Sequence, residues 1–316
     1  MSNKMEIKEY DSNFFDSFVY LIDNCFGIKN NDKNKLIKWK FFDNPNNEKN
    51  KIVCSYYEDK IVGQYSNIST SFIYQENIIN GYICQDMCVL KDFRGKGLIS
   101  KMSSKLYFDV LESTFSIGFS NEQGVKVDKN SKGYGYNVIG KLTSYILPTF
   151  LNFNKTYFYK KIENINDLKN INFNEFGYFS EYLKINSDFN YIKWRYFDKP
   201  NSNYSFFLIY DEKQKNIGYV VFYFKKGFGN IYDFNIIKET DIKRIIGTLK
   251  NIGIENKIFF LRIQILKNNF WKNFFKGFFK INKRENIYFT NKNHNIFNKI
   301  DILNKENWII KTGDIL

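Results

Sequence analysis

The stretch IKWKFFDNP, residues 37–45, returns in the second half of the chain as IKWRYFDKP, residues 192–200. The offset is 155 residues, because 194 minus 39 and 200 minus 45 give the same number. It holds at the next landmark as well, where Val62-Gly63 corresponds to Ile217-Gly218. Chance can supply one such phrase, but a phrase followed in register by a second landmark indicates an internal duplication. The sequence therefore predicts two copies of one structural unit.

The predicted secondary structure follows the same order in both copies. A helix carrying the Trp comes first, then a strand (Lys51 to Tyr57, or Ser205 to Tyr210), then a charged turn and a second strand entered through the Gly. The next strand holds an acidic residue, Asp86 or Asp233, and a helix, another strand and a short helix complete the unit. Strands first, with helices alternating afterwards, predict a mixed sheet covered by helices.

The fold expected for the whole chain is α/β, of the α+β type with mixed sheets: two tandem domains, each a mixed, mostly antiparallel sheet flanked by helices. We expect the first domain to span residues 1–150 and the second residues 151–316, with a linker near Pro148 to Leu168. A chain of 316 residues with 43% hydrophobic and 19% aromatic residues can bury two cores. The Trp residues of the repeated phrase are expected to anchor them.

The net charge of +14 raises the question of nucleic-acid binding. The lysines, however, are scattered and interrupted by Asp and Glu, and the chain has no basic tail, zinc-finger spacing or aromatic RNA-binding signature. We therefore expect no dedicated nucleic-acid function. A basic surface would still favour an anionic cofactor or substrate by electrostatic steering.

The four cysteines, Cys25, Cys54, Cys84 and Cys88, include no CxxC pair. Cys84 and Cys88 lie in a predicted strand, where a four-residue separation places both on the same face. We expect buried free thiols rather than metal ligands, and no metal. The first residues contain no apolar signal core and no run is long enough to span a bilayer, so we expect a cytoplasmic protein.

The chemistry is predicted to lie in the loop VLKDFRGKGLIS, residues 89–100 of the first copy. It joins an apolar strand to a helix with a hydrophobic stripe that recurs every four residues. The stripe consists of Leu98, Met102, Leu106 and Val110. A glycine turn entering a helix leaves the first N–H groups pointing outward, and with the helix dipole behind them they suit a pyrophosphate. Arg94 and Lys96 would add positive charge. The alternative is an ordinary solvated basic turn.

Residues 92–98, DFRGKGL, resemble motif A of the GCN5-related N-acetyltransferases (the GNAT superfamily), written Arg/Gln-x-x-Gly-x-Gly/Ala. Arg94 and Gly97 match the first two fixed positions, and Ile99 stands at the third, where Gly or Ala is usual. The repeated Trp phrase resembles a bacterial subgroup with two GNAT folds in tandem. Members of that subgroup often end with the residue types found here at Trp308, Thr312, Gly313 and Asp314.

The resemblance implies that acetyl-CoA, as co-substrate, lies between splayed fourth and fifth strands. The backbones of Cys88 and Val89 would contact the pantetheine arm, and one of their amides could stabilise the developing oxyanion. Asn121 follows the fifth strand and is often a cofactor ligand in such enzymes, although it could equally cap a helix. The predicted cofactor-binding residues are Cys88, Val89, Arg94, Gly95, Lys96, Gly97, Leu98, Ile99 and Asn121.

Direct acyl transfer to an amine also requires a base within hydrogen-bond reach, or one water away. Asp86 is the leading candidate, with a salt bridge as its alternative role, and Glu122 is the second. Asp233 occupies the corresponding place in the second copy, so an acid there can also serve the fold. The tyrosine with which many GNAT enzymes protonate the departing thiolate is missing from its usual place, and Tyr134 or Tyr136 could substitute.

The second copy lacks the glycine loop. Its corresponding residues, 238–244, read KETDIKR, with no glycine and two acids near the would-be phosphates. Repulsion and crowding both argue against a second cofactor site there. The C-terminal copy is therefore predicted to be a degenerate GNAT-like domain that is structural or forms a wall of the acceptor pocket.

Three functions follow from the sequence. The first is an acetyltransferase that acts on a small-molecule or carbohydrate acceptor, such as an amino sugar, a nucleotide sugar or a surface-glycan intermediate. The second is a FemABX-like aminoacyl transferase on peptidoglycan precursors, which would use aminoacyl-tRNA and would not need motif A. The third is a non-catalytic, degenerate GNAT pair that serves as a binding module. The intact loop at Arg94–Gly97 favours the first.

Overall fold

A computed structural model describes residues 5–29, 32–107, 115–120, 136–150, 158–176, 179–238, 242–266, 278–281, 287–291 and 300–315. The chain divides into two compact units. The first unit consists of Met1–Ser71, Asn80–Ile139 and Ile287–Leu303, and the second of Phe72–Ile79, Gly140–Asn286 and Asn304–Leu316. Each unit contains residues from both sides of residue 150: the first includes Ile287–Leu303, and the second includes Phe72–Ile79. A division of the chain at residue 150 stays a prediction.

The first unit contains a mixed sheet. Its strands, in their order in the sheet, are β1 (Glu6–Glu9), β2 (Lys51–Tyr57), β3 (Lys60–Tyr74), β4 (Asn77–Val89), β5 (Ser116–Ser120) and β14 (Ile287–Asn291). The pairs β1–β2, β2–β3 and β5–β14 are antiparallel, whereas β4 and β5 run parallel. Its described helices are α1 (Phe15–Phe26), α2 (Lys33–Phe41) and α3 (Leu98–Lys105).

Helix α3 covers one face of this sheet with the predicted hydrophobic stripe. Leu98, Met102 and Leu106 are buried in one cluster with Val53 and Val62 of the strands. The fourth member of the stripe, Val110, lies outside the described residues. Strand β3 is buried at every position from 61 to 70, which requires cover on both faces of the sheet.

The second unit contains a second mixed sheet. Its strands, in their order in the sheet, are β6 (Tyr136–Pro148), β12 (Phe260–Leu266), β11 (Phe228–Ile236), β10 (Asn216–Lys225), β9 (Tyr204–Tyr210) and β7 (Phe158–Ile162). Two short strands lie off this path: β8 (Lys184–Ile185) and β13 (Phe279–Ile281). The described helices are α4 (Phe189–Ile192), continued by a π-helical turn at Lys193–Phe197, and α5 (Ile242–Glu255).

One expectation about this region is wrong. The segment predicted as a linker, Pro148 to Leu168, contains strand β7, which pairs antiparallel with β9 from Phe158↔Tyr210 to Ile162↔Phe206. A five-residue edge strand has too short a pattern to stand out from a loop, and its partner lies far away in the sequence. In the described residues, no helix combines the length and apolar composition that crossing a bilayer demands.

The repeated phrase ends a helix in both copies. Asp32 caps α2 by accepting a hydrogen bond from the Lys35 amide, and Asp188 caps α4 in the same way from Tyr191. Trp39 and Trp194 are 3% and 5% exposed, which confirms that both anchor cores. The helical segment ends shortly before a proline in each copy, because proline has no amide N–H and cannot continue a helix.

The sheets confirm the duplication at atomic detail. In each copy an antiparallel pair, β2–β3 or β9–β10, is followed by a parallel pair, β4–β5 or β11–β12. A Cβ atom on Gly63 would lie 3.3 Å from the Cys88 carbonyl oxygen, and one on Gly218 would lie 2.5 Å from that of Asn235. Gly218 therefore leaves no room for a side chain, whereas at Gly63 the neighbours would have to move by a few tenths of an ångström. The offset falls from 155 to 147 (235 minus 88) because the β10–β11 hairpin is shorter than β3–β4.

The C-terminal segment, Trp308–Ile315, completes the second sheet. Parallel pairing of β11 with β12 is recorded only from Phe228↔Phe260 to Ile231↔Ile263. Beyond that point, the edge of β12 bonds to the C-terminal segment instead. The contacts are a bridge of Ile265 with Lys311, a 3.1 Å bond from the Leu266 amide to Ile310 O, and a 3.0 Å bond from the Gln264 amide to Thr312 Oγ1.

The other side of the C-terminal segment faces β11. Lys311 Nζ forms an ion pair with Asp233 and donates to Phe234 O at 2.9 Å. A Cβ atom on Gly313 would lie 2.6 Å from Tyr232 O, so only glycine fits at this point. The segment thus fills the gap between β11 and β12, and the C-terminal sequence motif has a structural role in the second unit.

Replacing Trp308 by Ala is expected to destabilise the second unit strongly. The indole is fully buried and packs edge-on against Phe72, so its removal leaves a cavity that costs about 3–5 kcal/mol. Urea unfolding followed by circular dichroism measures the loss. Phe279→Ala, at a residue that is 64% exposed, should change the free energy of unfolding by less than about 0.5 kcal/mol. Equal effects of the two substitutions would contradict a filling role for the C-terminal segment.

Candidate functional site

The parallel strands β4 and β5 separate after a short paired stretch. Their pairing runs from Tyr82↔Ser116 to Cys84↔Gly118. Among the described residues, the rest of β4, residues 85–89, has no recorded pairing with β5, whose other edge pairs with β14. The backbone edge of β4 that faces this gap carries polar groups, and buried backbone groups of this kind require partners. Within the described residues, the recorded pairing of β4 with β5 therefore ends at Cys84↔Gly118, which agrees with the splayed strands that the family resemblance implies.

Asp86 marks a break in β4 at the start of this gap. Its φ is +42°, in the left-handed region that non-glycine residues rarely adopt. Cys84 and Val89, five residues apart, pack in the same cluster around α3, which regular alternation does not permit. The Cys88 thiol instead forms a hydrogen bond with the Cys25 side chain of α1. The prediction that Cys84 and Cys88 share a face is wrong, because a break in the alternation at Asp86 cannot be read from spacing alone.

The glycine loop, Arg94–Gly97, leads from β4 into α3. A 3-10 turn at Lys91–Phe93 comes first. Gly95 and Gly97 have φ of +77° and +70°, which explains why both are glycine. Added Cβ atoms on either would meet no described residue within 4 Å, so the described part of the chain leaves the space in front of the loop open. Among the described residues, no side chain caps the helix at Gly97, and the first N–H groups of the helix therefore need other acceptors.

The side chains of Arg94 and Lys96 in the loop are exposed, whereas the residues that follow at the start of α3 pack against the sheet. Leu98 is buried in the α3 cluster, and Ile99 packs partly against the same cluster. Arg94 Nε donates to Val89 O at 3.0 Å, which ties the loop back to the end of β4. The ammonium of Lys96 lies 4.8 Å from the centre of the Phe93 ring. The loop thus presents two cations around an open helix entrance.

Asp86 is paired with a lysine that the sequence reasoning missed. Lys40 Nζ lies 2.5 Å from Asp86 Oδ2, and the two side chains are 16% and 26% exposed. Gln64 Nε2 donates to the backbone oxygen of Asp86, and Gln64 Oε1 accepts a hydrogen bond from the Ser66 hydroxyl. The repeat contained the signal for this pair, since Lys40 corresponds to Arg195 and Asp86 to Asp233, a base and an acid in both copies.

Two cysteines meet beside the loop. Cys25, at the end of α1, is half-exposed, and Cys88 is buried in β4. The pKa of Cys25 is lowered to about 7 by a hydrogen bond from the Cys88 thiol and by the nearby Arg94 guanidinium, against the opposing effect of burial. The pKa of Cys88 is raised by the same bond to Cys25 and by burial. The pair therefore holds a thiolate at neutral pH on Cys25 rather than on Cys88.

The remaining predicted site residues, Asn121, Glu122 and Tyr134, lie outside the described residues. Of the others, the structure brings Asp86, Cys88 and Val89 together on β4 with the glycine loop directly after them. Over the described ranges, no group of three or more His, Cys, Asp or Glu side chains is arranged to hold a metal ion. All four cysteines are free thiols.

The sequence of this site matches a known family. Residues 6–126 match the model of the acetyltransferase (GNAT) domain. That range contains α1 and α2, the strands from β1 to β5, and the glycine loop. No curated protein sequence is similar enough to the chain to count as a match.

Solved structures share the fold over most of the chain. A probable N-acyltransferase from Enterococcus faecalis V583 has a TM-score of 0.71 at 10% identity, covering 91% of this chain and 72% of that one. A GCN5-related N-acetyltransferase from Anabaena variabilis ATCC 29413 has a TM-score of 0.65 at 13% identity, covering 91% and 72%. Saccharomyces cerevisiae N-myristoyltransferase with bound myristoyl-CoA has a TM-score of 0.55 at 12% identity, covering 92% and 79%. These likenesses show the fold alone.

Iodoacetamide is expected to modify Cys25 first among the four cysteines. Its thiol is half-exposed and half ionised near pH 7, and the thiolate is the reactive form. The rate, followed by mass spectrometry of the peptides, should rise with an inflection near pH 7. Cys88→Ala removes the thiol donor and should move the inflection towards the usual value of about 8.5. An unchanged inflection in Cys88→Ala would refute the thiol pair.

Proposed function

Since residues 6–126 match the model of the acetyltransferase (GNAT) domain, we propose that the protein transfers the acetyl group of acetyl-CoA to an amine, or a hydroxyl, of a small-molecule or sugar acceptor. Transfer occurs by direct attack of the acceptor on the thioester. The observation that carries the proposal is the glycine loop at Arg94–Gly97, which opens α3 beside the gap between β4 and β5.

The loop fits the pyrophosphate of coenzyme A. Both glycines hold positive φ and leave open space in front of the helix entrance. The uncapped N–H groups of α3 and the positive end of its dipole point into that space. Arg94 and Lys96 add positive charge at the rim. A side-chain cap or a bulky residue at Gly97 would close this entrance.

The gap fits the extended arm that follows the pyrophosphate. The backbone of Cys88 and Val89 borders the gap directly before the loop, so a pantetheine amide could complete the hydrogen bonding of the β4 edge, as an added strand would. The loop and the gap therefore receive consecutive parts of one molecule. Asn121 is proposed as a further ligand after β5.

Bound acetyl-CoA supplies the acetyl group as a thioester, and the protein's own residues prepare the transfer. An amide of Cys88 or Val89 donates to the developing oxyanion. Asp86 accepts the acceptor's proton, and Lys40 holds the carboxylate in place through the ion pair. Glu122 is the alternative base, and Tyr134 is proposed as the acid that protonates the departing thiolate.

The second copy is proposed to bind no acetyl-CoA. Its corresponding gap, between β11 and β12, contains the C-terminal segment, whose Lys311 bonds across to Asp233. Residues 238–244 offer no glycine for a loop of the first kind. One acetyl-CoA should therefore bind per chain. A stoichiometry of two would contradict this assignment without affecting the first site.

Gly97→Asp is expected to weaken acetyl-CoA binding by at least about 100-fold, or about 2.7 kcal/mol. The substitution places a carboxylate at the phosphate position and strains a left-handed backbone. Isothermal titration calorimetry measures the affinity. Gly27→Asp is the matched control, because Gly27 also has a positive φ and open surroundings but ends α1. Failure of the unaltered protein to bind acetyl-CoA, or equal losses in both variants, would overturn the proposal.

Asp86→Asn is expected to lower kcat/KM by about 10²–10⁴ while leaving acetyl-CoA affinity unchanged, because the amide cannot accept the proton. Release of free coenzyme A in the presence of amino sugars, nucleotide sugars and surface-glycan intermediates is the assay. Lys40→Met separates catalysis from structure, since it breaks the same ion pair and retains the carboxylate. Equal losses of activity and stability in the two variants would show that Asp86 only supports the fold.

A further inference from the structure

A cavity of about 480 Å³ lies within the second unit, and no residue of the glycine loop lines it. Its polar wall is formed by Lys184, Asn186 and Ser187, with Gln75 and Glu76 at its edge, and its apolar wall by Phe173, Phe176, Ile73 and Ile78. This volume falls within the range of small-molecule sites, as does the combination of an apolar wall with a few polar groups.

Lys184 is the cation of this cavity, and it has no counter-ion among the described residues. Neither an ion pair nor a hydrogen bond joins its ammonium to any part of the chain that the structure describes. Its nearest recorded neighbour is the ring of Phe179, 5.5 Å away. Burial and, to a smaller extent, the positive charge of Lys311 lower the pKa of Lys184 to about 7, against the opposing effect of Asp233.

The surrounding charges leave this lysine uncompensated. Asp233 is already paired with Lys311, and Arg195 donates to the carbonyl oxygens of Gly313 and Ile315. Asp314 accepts a 2.7 Å bond from the Lys311 amide, and burial raises its pKa to about 7. Around neutral pH, this buried group of residues therefore holds more positive than negative charge, and such an excess favours either loss of a proton or an added anion.

We propose that the cavity binds a small carboxylate, whose charged end pairs with Lys184 and whose apolar part rests on Phe173 and Phe176. A single ammonium, next to the amide of Asn186 and the hydroxyl of Ser187, matches one carboxylate. Glu76, at the exposed edge of the cavity, would repel a doubly charged phosphate more strongly than a monoanion. The site is independent of the glycine loop, and the ligand differs from the acyl donor.

Binding of the carboxylate is linked to protonation of Lys184. The anion pairs with the ammonium form, so its presence raises the pKa of Lys184 above about 7. Affinity is accordingly greatest below pH 7 and falls by up to about tenfold for each pH unit above it. The charged groups around Lys184 that set this dependence are Lys311 and Asp233, with Glu76 on the cavity wall.

Carbon-13 NMR of the full-length protein with reductively methylated lysines tests the proposal. Acetate, hexanoate and phenylacetate are added separately at about 20 mM, enough to fill a site of millimolar affinity. Hexanoate or phenylacetate should raise the pKa of the Lys184 signal by at least about one unit, and the neutral phenylacetamide should not change it. No shift with any of the three carboxylates, or an equal shift with phenylacetamide, would overturn the proposal.

Three variants distinguish a loss of the carboxylate site from a loss of folding. Lys184→Met should abolish the binding of phenylacetate, whereas Lys213→Met, at an exposed turn, should leave it unchanged. Glu76→Gln should tighten phenylacetate binding about twofold to threefold, since it removes a repelling charge from the exposed edge. Binding that is retained in Lys184→Met, or weakened in Glu76→Gln, would contradict the assignment. Acetyl-CoA binding should be the same in all three variants.

Discussion

The separation of a parallel strand pair is the constraint on which both halves of this protein depend. β4 and β5 remain paired for three residues, and β11 and β12 for four, before each pair opens. Each opening exposes backbone N–H and C=O groups that must find partners inside the protein. In the second unit, the chain itself supplies them through the C-terminal segment. In the first unit, the opening is followed by a glycine loop and a bare helix entrance, which is the arrangement expected where a substrate supplies the partners.

The same duplicated acid and base have different surroundings in the two copies. Lys40 and Asp86 form a partly exposed ion pair beside the gap. At the corresponding positions, Arg195 turns to carbonyl groups of the C-terminal segment, and Asp233, with 2% of its side chain exposed, pairs with Lys311 instead. Burial without solvent access makes Asp233 a structural carboxylate. Asp86 retains access, so the duplication separates a residue available for chemistry from one that stabilises a core.

The sequence predicted the parts of this fold that local patterns specify. The two copies, the order of their strands, the stripe on α3 and the glycine loop all follow from spacing and residue type. The break at Asp86, strand β7 and the filled gap did not follow, because each depends on a distant partner. The bridge of Ile265 with Lys311 has no local signal, for example, and the C-terminal motif was recognised only by resemblance. The sequence left two roles for Asp86, a catalytic base or one member of an ion pair. The position of Lys40 in the repeat could have identified Lys40 as the partner of Asp86.

The C-terminal segment that fills the gap between β11 and β12 adds a permanent positive charge to the core of the second unit. The C-terminal segment brings Lys311 into a core that already holds Arg195, and the hydrogen-bonded carboxylates there cannot neutralise a third cation. The effect appears at Lys184, whose pKa is lowered to about 7 chiefly by burial and then by Lys311, and at Asp314, whose pKa burial raises to about 7. Both groups therefore change charge close to neutral pH. A closed, structural copy of the fold has in this way acquired groups able to respond to an anion, while the open copy keeps the surface suited to acyl transfer.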